Sequence, residues 1–309
     1  MAIQFQEYSK WGATCEKPGG RFCRTLSAQG GVHCLALFIK KLLQHRFRIA
    51  LIGLLSASLF FLAAFRFQRR QQAHVGNIAA SSSSISKLPS TILWAWERPE
   101  KLDFIDSQKI GVAFLAKTIY LRADRTVSRP RLQPLTVPNG AAVIAVARIE
   151  SDRPTPPTLS PEQIKDAAAE IAELGSLPNV VMVQVDFDAT TSERAFYRDL
   201  LNQLRGKLPP STLLSITALA SWCKGDNWLD DLPIDEAVPM LFRMGVERRQ
   251  FLSQLAAGEG FESKPCQASA GVSTDEPLGQ LPRVQRLYVF NPVVWSPEAI
   301  KQMMETYKR

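Results

Sequence analysis

Two hydrophobic patterns divide this chain. The first is one unbroken run, Ile49 to Phe65 (IALIGLLSASLFFLAAF), which carries no charge and is bracketed by Arg48 and Arg66. The second begins at Thr91, where short apolar runs alternate with stretches of helical period. The runs of strand type are 92–96 (ILWAW), 110–116 (IGVAFLA), 141–149 (AAVIAVARI), 180–187 (VVMVQVDF), 213–221 (LLSITALAS), 237–244 (AVPMLFRM), 268–273 (ASAGVS) and 286–290 (RLYVF). Several are apolar on both faces, as strands of a buried parallel sheet are. Helical patterns occupy 160–176, 191–208, 246–258 and 296–309. The first, second and last open on Ser or Thr with Glu in the first turn, a helix-start signal.

Eight strand candidates interleaved with helices predict an α/β fold, a somewhat irregular (β/α)8 barrel over residues 91–309. The main irregularity is 117–140, where a Pro-rich hairpin-like insertion stands in place of the helix between strands two and three. An open doubly wound sheet is the alternative. No Gly-rich phosphate fingerprint follows any strand, so the usual sign of a dinucleotide-binding sheet is missing.

As a helix the run 49–65 reaches roughly 25 Å, a little short of the ~30 Å hydrocarbon core, a gap that snorkelling arginines and local thinning close. The expectation is an uncleaved single-pass anchor. A signal peptide is the rival, but 48 preceding residues are long for one, and RFQRR offers no small-x-small site. The domains expected are a basic tail (1–48), the spanning helix (49–65), a Ser-rich tether (66–90) and the barrel (91–309). Segment 35–47 (LALFIKKLLQHRF) reads as an interfacial helix or as the start of the spanning one.

Charge sharpens this division. The net +8 of the 309 residues lies at one end: residues 1–89 hold 12 basic and 2 acidic side chains, residues 90–309 hold 25 and 27. A nucleic-acid groove across the main domain is therefore not expected, because phosphate binding needs clustered uncompensated Lys and Arg. The basic flank orients the chain with its N-terminus in the cytoplasm and the barrel periplasmic or otherwise outside. Cys223 and Cys266 would then meet an oxidising compartment, either paired or as two buried thiols. All three histidines precede residue 90, which removes His-based triads and His-ligated zinc from the barrel. No metal or cofactor is expected. The acidic stretch 226–236 (DNWLDDLPIDE) fits no EF-hand spacing and reads as a solvated loop.

Chemistry is expected at the C-terminal strand ends. In VVMVQVDFDATTSERAFY, alternation places Met182, Gln184, Asp186 and Asp188 on one face, toward the barrel axis, with the two carboxylates at the rim. Cα atoms at i and i+2 are roughly 7 Å apart on a strand, close enough to split two carboxyl pKa values into an acid and a base. The structural alternative is that Asp188 caps the next helix and Asp186 serves its own loop. Other strand ends add Trp96 and Glu97, Arg148 and Glu150, Trp222, Arg243, Asn291 and Trp295. Five of the six tryptophans fall after residue 90, four of them at or just past strand ends, where indole faces suit sugar rings.

The segments ILWAWERPE, IGVAFLA, VQVDFDATTSERAFYRDLL, LSITALASWC and DEAVPMLFRMG resemble an uncharacterised bacterial family, the domain of unknown function numbered 3142. The likeness runs from Thr91 to the C-terminus and implies no established activity. More distantly, the strand-four motif is similar to the D-x-D-x-E of chitinase-like glycoside hydrolases. Asp186 and Asp188 match its aspartates, while Thr190 stands where the proton-donating glutamate belongs. A threonine hydroxyl is no general acid at neutral pH, so Glu97 or Glu150 would have to supply that proton.

The expected protein is thus a membrane-anchored, glycosidase-like barrel of the inner membrane that binds an envelope or exported polysaccharide; if it is an enzyme, it hydrolyses that polysaccharide through Asp186, Asp188, Glu97 and Glu150. Trp96, Trp222, Trp295, Gln184, Arg243 and Asn291 would contact substrate, and residues 49–65 the lipid bilayer. The alternative is a non-catalytic scaffold or glycan-binding module with a degenerate barrel site.

Overall fold

The chain divides into two units, Met1–Arg70 and Gln71–Arg309. The computed structural model describes residues 85–246 and 248–307, all within the second unit. The apolar run 49–65 and the basic tail lie outside the described residues. Among the described residues no helix is long and apolar enough to cross a membrane.

Eight parallel strands close into a barrel. They are β1 (Thr91–Ala95), β3 (Ile110–Arg122), β6 (Val143–Ser151), β7 (Val180–Asp186), β8 (Leu213–Leu219), β9 (Glu236–Met240), β10 (Ser269–Ser273) and β11 (Arg286–Phe290). Each pairs with the next in this order, and β11 returns to β1, with Thr91 opposite Leu287 and Thr91 also opposite Ile110. The open doubly wound alternative is thereby excluded. All eight strand candidates are barrel strands. Short strands β2 (Glu100–Lys101) and β5 (Leu135–Thr136) form a separate parallel pair.

Four α-helices flank the barrel among the described residues: α1 (Pro161–Ala172), α2 (Arg194–Lys207), α3 (Arg248–Ala256) and α4 (Pro297–Tyr307). Ser160 and Gln163 form a reciprocal capping box at the start of α1, and the Ser296 hydroxyl accepts from the Ala299 amide at α4. No α-helix follows β1, β3, β8 or β10; 3-10 turns, loops and a hairpin replace them.

The hairpin between strands two and three begins where its pattern suggests, with Lys117 opposite Pro130, but its first arm is a continuation of the barrel strand. β3 does not stop at residue 116. After a bulge between Leu115 and Lys117, burial continues through Ile119 and Leu121, and the strand folds back on β4 (Arg125–Pro130) from Arg122 onward. Alternating apolar residues past the bulge keep one face packed, so the strand runs on.

Side-chain alternation creates two cores. Ile92, Trp94, Leu115, Ile144, Val146, Met182, Val238 and Tyr288 fill the lumen, while Val112, Val183, Val185, Ile216 and Val289 meet the helices. At the N-terminal end Ile85 and Leu88 pack against the lumen cluster. There Arg286 donates to Glu236 and to the carbonyls of Ile85 and Pro89, and Tyr288 donates to Glu236 at 2.7 Å. Residues leading into β1 therefore close one end of the barrel and leave the opposite end for a site.

Candidate functional site

At the C-terminal strand ends a cavity of about 460 Å³ opens into the barrel, a size that suits a small-ligand pocket. Its lining combines two chemistries: the polar groups of Arg148, Asp186, Asp188, Thr217 and Ser221, and the apolar side chains of Trp94, Trp96, Met240, Phe242, Phe251 and Phe290.

The polar lining grows out of β6, β7 and β8. Register places Arg148 opposite Asp186, which brings a cation to the last residue of β7. Asp186 is only 6% exposed. Its Oδ1 accepts from Thr217 Oγ1 at 2.6 Å, and Oδ2 lies 3.5 Å from Arg148 Nη1. Burial pushes the Asp186 carboxyl above its usual range; Arg148 and Thr217 oppose the rise, and Asp188 and Glu150 add to it. Burial alone would lower the Arg148 guanidinium, but Asp186 and the hydrogen bond to Glu150 outweigh it and hold Arg148 firmly charged. Arg148 Nε donates to Glu150 at 2.7 Å, and its guanidinium lies over the Trp96 ring, 5.8 Å from the centroid. Asp188 is exposed and has neither a hydrogen bond nor an ion pair among the described residues.

The local structural alternatives for the two aspartates are now resolved. Asp188 caps no helix. Thr190 does that work, with its amide and hydroxyl both donating to Glu193 at 2.7 Å. Asp186 is held by a neighbouring strand and not by its own loop. Thr190, where the strand-four resemblance would have a glutamate, is thus a helix cap, and it lines a separate groove of about 640 Å³ beside the mouth. Arg148 and Asp188 border both spaces, and Glu150 faces the groove.

The aromatic lining is a set of ring contacts. Phe242 and Phe290 stack with centroids 5.7 Å apart, Trp96 meets Phe290 edge to face, and Trp94 packs on Tyr288 at 5.3 Å. Trp94 is pinned by a 3.0 Å hydrogen bond from its indole to Gln184, which in turn donates to Ser215. Gln184 therefore lies in the lumen beneath the mouth, fully buried, and supports the floor without facing the cavity.

Other expected contact residues lie elsewhere. Trp222 is buried in the outer core edge to face with Trp228, 5.0 Å away. Trp295 is buried too, and its indole donates to the Trp94 carbonyl at 3.0 Å, pinning β1. Asn291 is buried beside the mouth; its Oδ1 accepts from Thr274, and its Nδ2 has no partner among the described residues. Arg243 does reach the rim, in the left-handed region at φ 54°, clamped by Asp275 at 2.7 Å and by Glu276. Glu97 points into a smaller cleft, paired with Arg129 at 2.5 Å. The structure thus gathers Trp96, Arg148, Asp186, Asp188 and Arg243 at one opening, places Glu150 next to it, and leaves Glu97, Trp222, Trp295 and Asn291 outside.

Trp94, Thr217, Phe242 and Phe290 belong to the mouth without having been expected there. Thr217 and Phe290 lie near strand ends in the sequence, but only the register shows which residue of each strand reaches the rim. Cys223 and Cys266 are both buried and disulfide-bonded, tying the turn after β8 to the segment before β10. No protein-family model and no curated protein matches the chain.

Proposed function

We propose that the barrel mouth binds an envelope or exported polysaccharide, presented outside the cytoplasm from an anchor at residues 49–65. One observation carries the binding reading: a single cavity is lined both by aromatic rings and by carboxylates with a guanidinium. A sugar ring has the same two characters, with C–H faces that pack on rings and an edge of hydroxyls that bond to carboxylates. The distant resemblance of the strand-four motif to chitinase-like barrels points the same way. The Cys223–Cys266 disulfide suits an oxidising compartment, and the basic flank of 49–65 suits a cytoplasmic N-terminus.

Hydrolysis is the stronger form of this reading. Asp186, with its raised pKa, would donate the proton and Asp188 would act as base. Glu150 enters only through Arg148, and Glu97 is committed to Arg129. The non-catalytic form draws its support from Thr190, whose capping bonds occupy the place of the family's proton donor.

The test uses the full chain in detergent with a panel of envelope glycans. Tryptophan fluorescence reads binding and new reducing ends read cleavage. Binding that weakens about tenfold in Trp96→Ala supports the reading. Cleavage lost in Asp186→Asn supports the catalytic form. A panel that neither quenches fluorescence nor competes with any member sinks the proposal.

A further inference from the structure

The charges of the mouth do not balance. Three carboxylates, Asp186, Asp188 and Glu150, surround the single guanidinium of Arg148. Arg148 spends Nε on Glu150 and stands 3.5 Å from Asp186 Oδ2 without hydrogen-bonding to it. Oδ2 of Asp186 therefore has an ion pair but not the shorter hydrogen bond that its partner could give, on a residue only 6% exposed that lines the cavity. A ligand that donates to this oxygen adds a charge-assisted hydrogen bond that the protein itself does not make there. Asp188, at the opening, has neither a hydrogen bond nor an ion pair among the described residues and meets Arg148 only through its field. The other cation of the rim, Arg243, is already matched by Asp275 and Glu276, and Arg248 shares Glu276 at 2.9 Å.

The aromatic lining adds to the same preference. Trp96, Phe242 and Phe290 line the same cavity, together with the polarizable thioethers of Met240 and Met244. The Arg148 guanidinium already lies over the Trp96 ring, 5.8 Å from its centroid, so a cation is accommodated against these rings. An anionic ligand would meet carboxylates and electron-rich rings. A neutral hydroxyl would satisfy one oxygen. An ammonium group suits both parts of the lining, through charge-assisted hydrogen bonds to Asp186 and Asp188 and attraction to the rings.

We propose that the sugar units taken by the mouth carry a free ammonium group, as in a de-N-acetylated amino-sugar chain, with Asp186 and Asp188 as its acceptors. The inference rests on the carbohydrate reading above and narrows it from polysaccharides in general to cationic ones.

The experiment titrates the full chain in detergent at about pH 6, where the amine is protonated, with three tetramers: glucosamine, N-acetylglucosamine and galacturonic acid. The glucosamine tetramer should bind about tenfold more tightly than the acetylated one, with the uronic acid weakest. The gap should narrow in high salt. In Asp188→Asn, an exposed position whose replacement leaves the core intact, the ratio should fall toward one. If the acetylated tetramer binds as well as the amine, or if the ratio persists in Asp188→Asn, the ammonium inference is overturned and the carbohydrate reading stands. If no tetramer binds while oligolysine does, both are overturned, and the mouth reads a cationic peptide.

Discussion

Thr217 donates its hydroxyl proton to Asp186 across two adjacent strands at 2.6 Å, fixing the most buried carboxylate of the barrel mouth. That bond and the Arg148 pair both favour the charged form, yet burial outweighs them and the carboxyl is raised. A carboxyl raised in the folded state contributes most to stability below its ordinary value of 3.8, and the contribution is lost as pH rises through the folded value. Asp186→Asn removes that loss. Urea unfolding at acid and neutral pH should therefore show the variant gaining on the native chain as pH rises above 3.8. A stability difference that stays flat with pH would contradict this account of Asp186.

The tryptophans should separate into two kinds. Trp96 lines the mouth and is half-buried, whereas Trp222 is sealed against Trp228. Trp222→Ala should cost about 3–5 kcal/mol of stability by leaving a core cavity. Trp96→Ala should cost much less stability and most of the ligand affinity. Thermal unfolding and ligand titration on the same two variants read both effects, and a reversed order would misassign the mouth.

Gly271 leaves room for the floor of the site. A Cβ built there would lie 2.9 Å from the Trp94 ring, closer than packed atoms tolerate. Gly271→Ala should shift Trp94, strain its bond to Gln184 and destabilise the fold by about 1–3 kcal/mol. Altered tryptophan fluorescence together with a lowered urea midpoint is the expected signature. An unchanged spectrum would mean that the ring does not move.

The disulfide closes a loop with a sequence separation of 43. Loop-closure entropy for that length corresponds to about 4 kcal/mol of stability at most. Replacing Cys223 and Cys266 together by Ala should lower stability by roughly 2–4 kcal/mol. Denaturation with and without reductant gives the check: the native chain should respond to reductant and the double variant should not.

The buried pair at the closed end predicts a different asymmetry. Arg286 is 3% exposed and Glu236 fully buried. Removing only the cation, as in Arg286→Met, strands Glu236 and should cost about 3–5 kcal/mol. Replacing both partners with apolar residues should cost less than that single change, a comparison that a double-mutant cycle in urea resolves.

All eight barrel strands were legible as runs of apolar residues, because a strand covered on both faces must be apolar along its length. The face of β7 was legible too. Met182 and Gln184 enter the lumen and Asp186 reaches the mouth, while Val183 and Val185 meet the helices, as strict alternation requires. The end of β3 was not legible, since the bulge near Ala116 resets the alternation that would have carried the pattern to Arg122. Trp222 and Trp295 fall at strand ends in the sequence, yet they turn into the core because sequence position does not determine which way a loop side chain points.

By itself the sequence determined the period, the number of strands and the separation of a basic, histidine-bearing end from a nearly neutral barrel, all of them properties of composition and local spacing. Only the tertiary structure decided the neighbours of each carboxylate. Arg148 and Thr217 lie 38 and 31 positions from Asp186, and strand register alone brings them together. Glu97 follows the aromatic strand end directly, yet Arg129 on the hairpin draws it out of the mouth. Pairing across strands depends on register and on where each loop turns, and neither is encoded by the residue types of one segment.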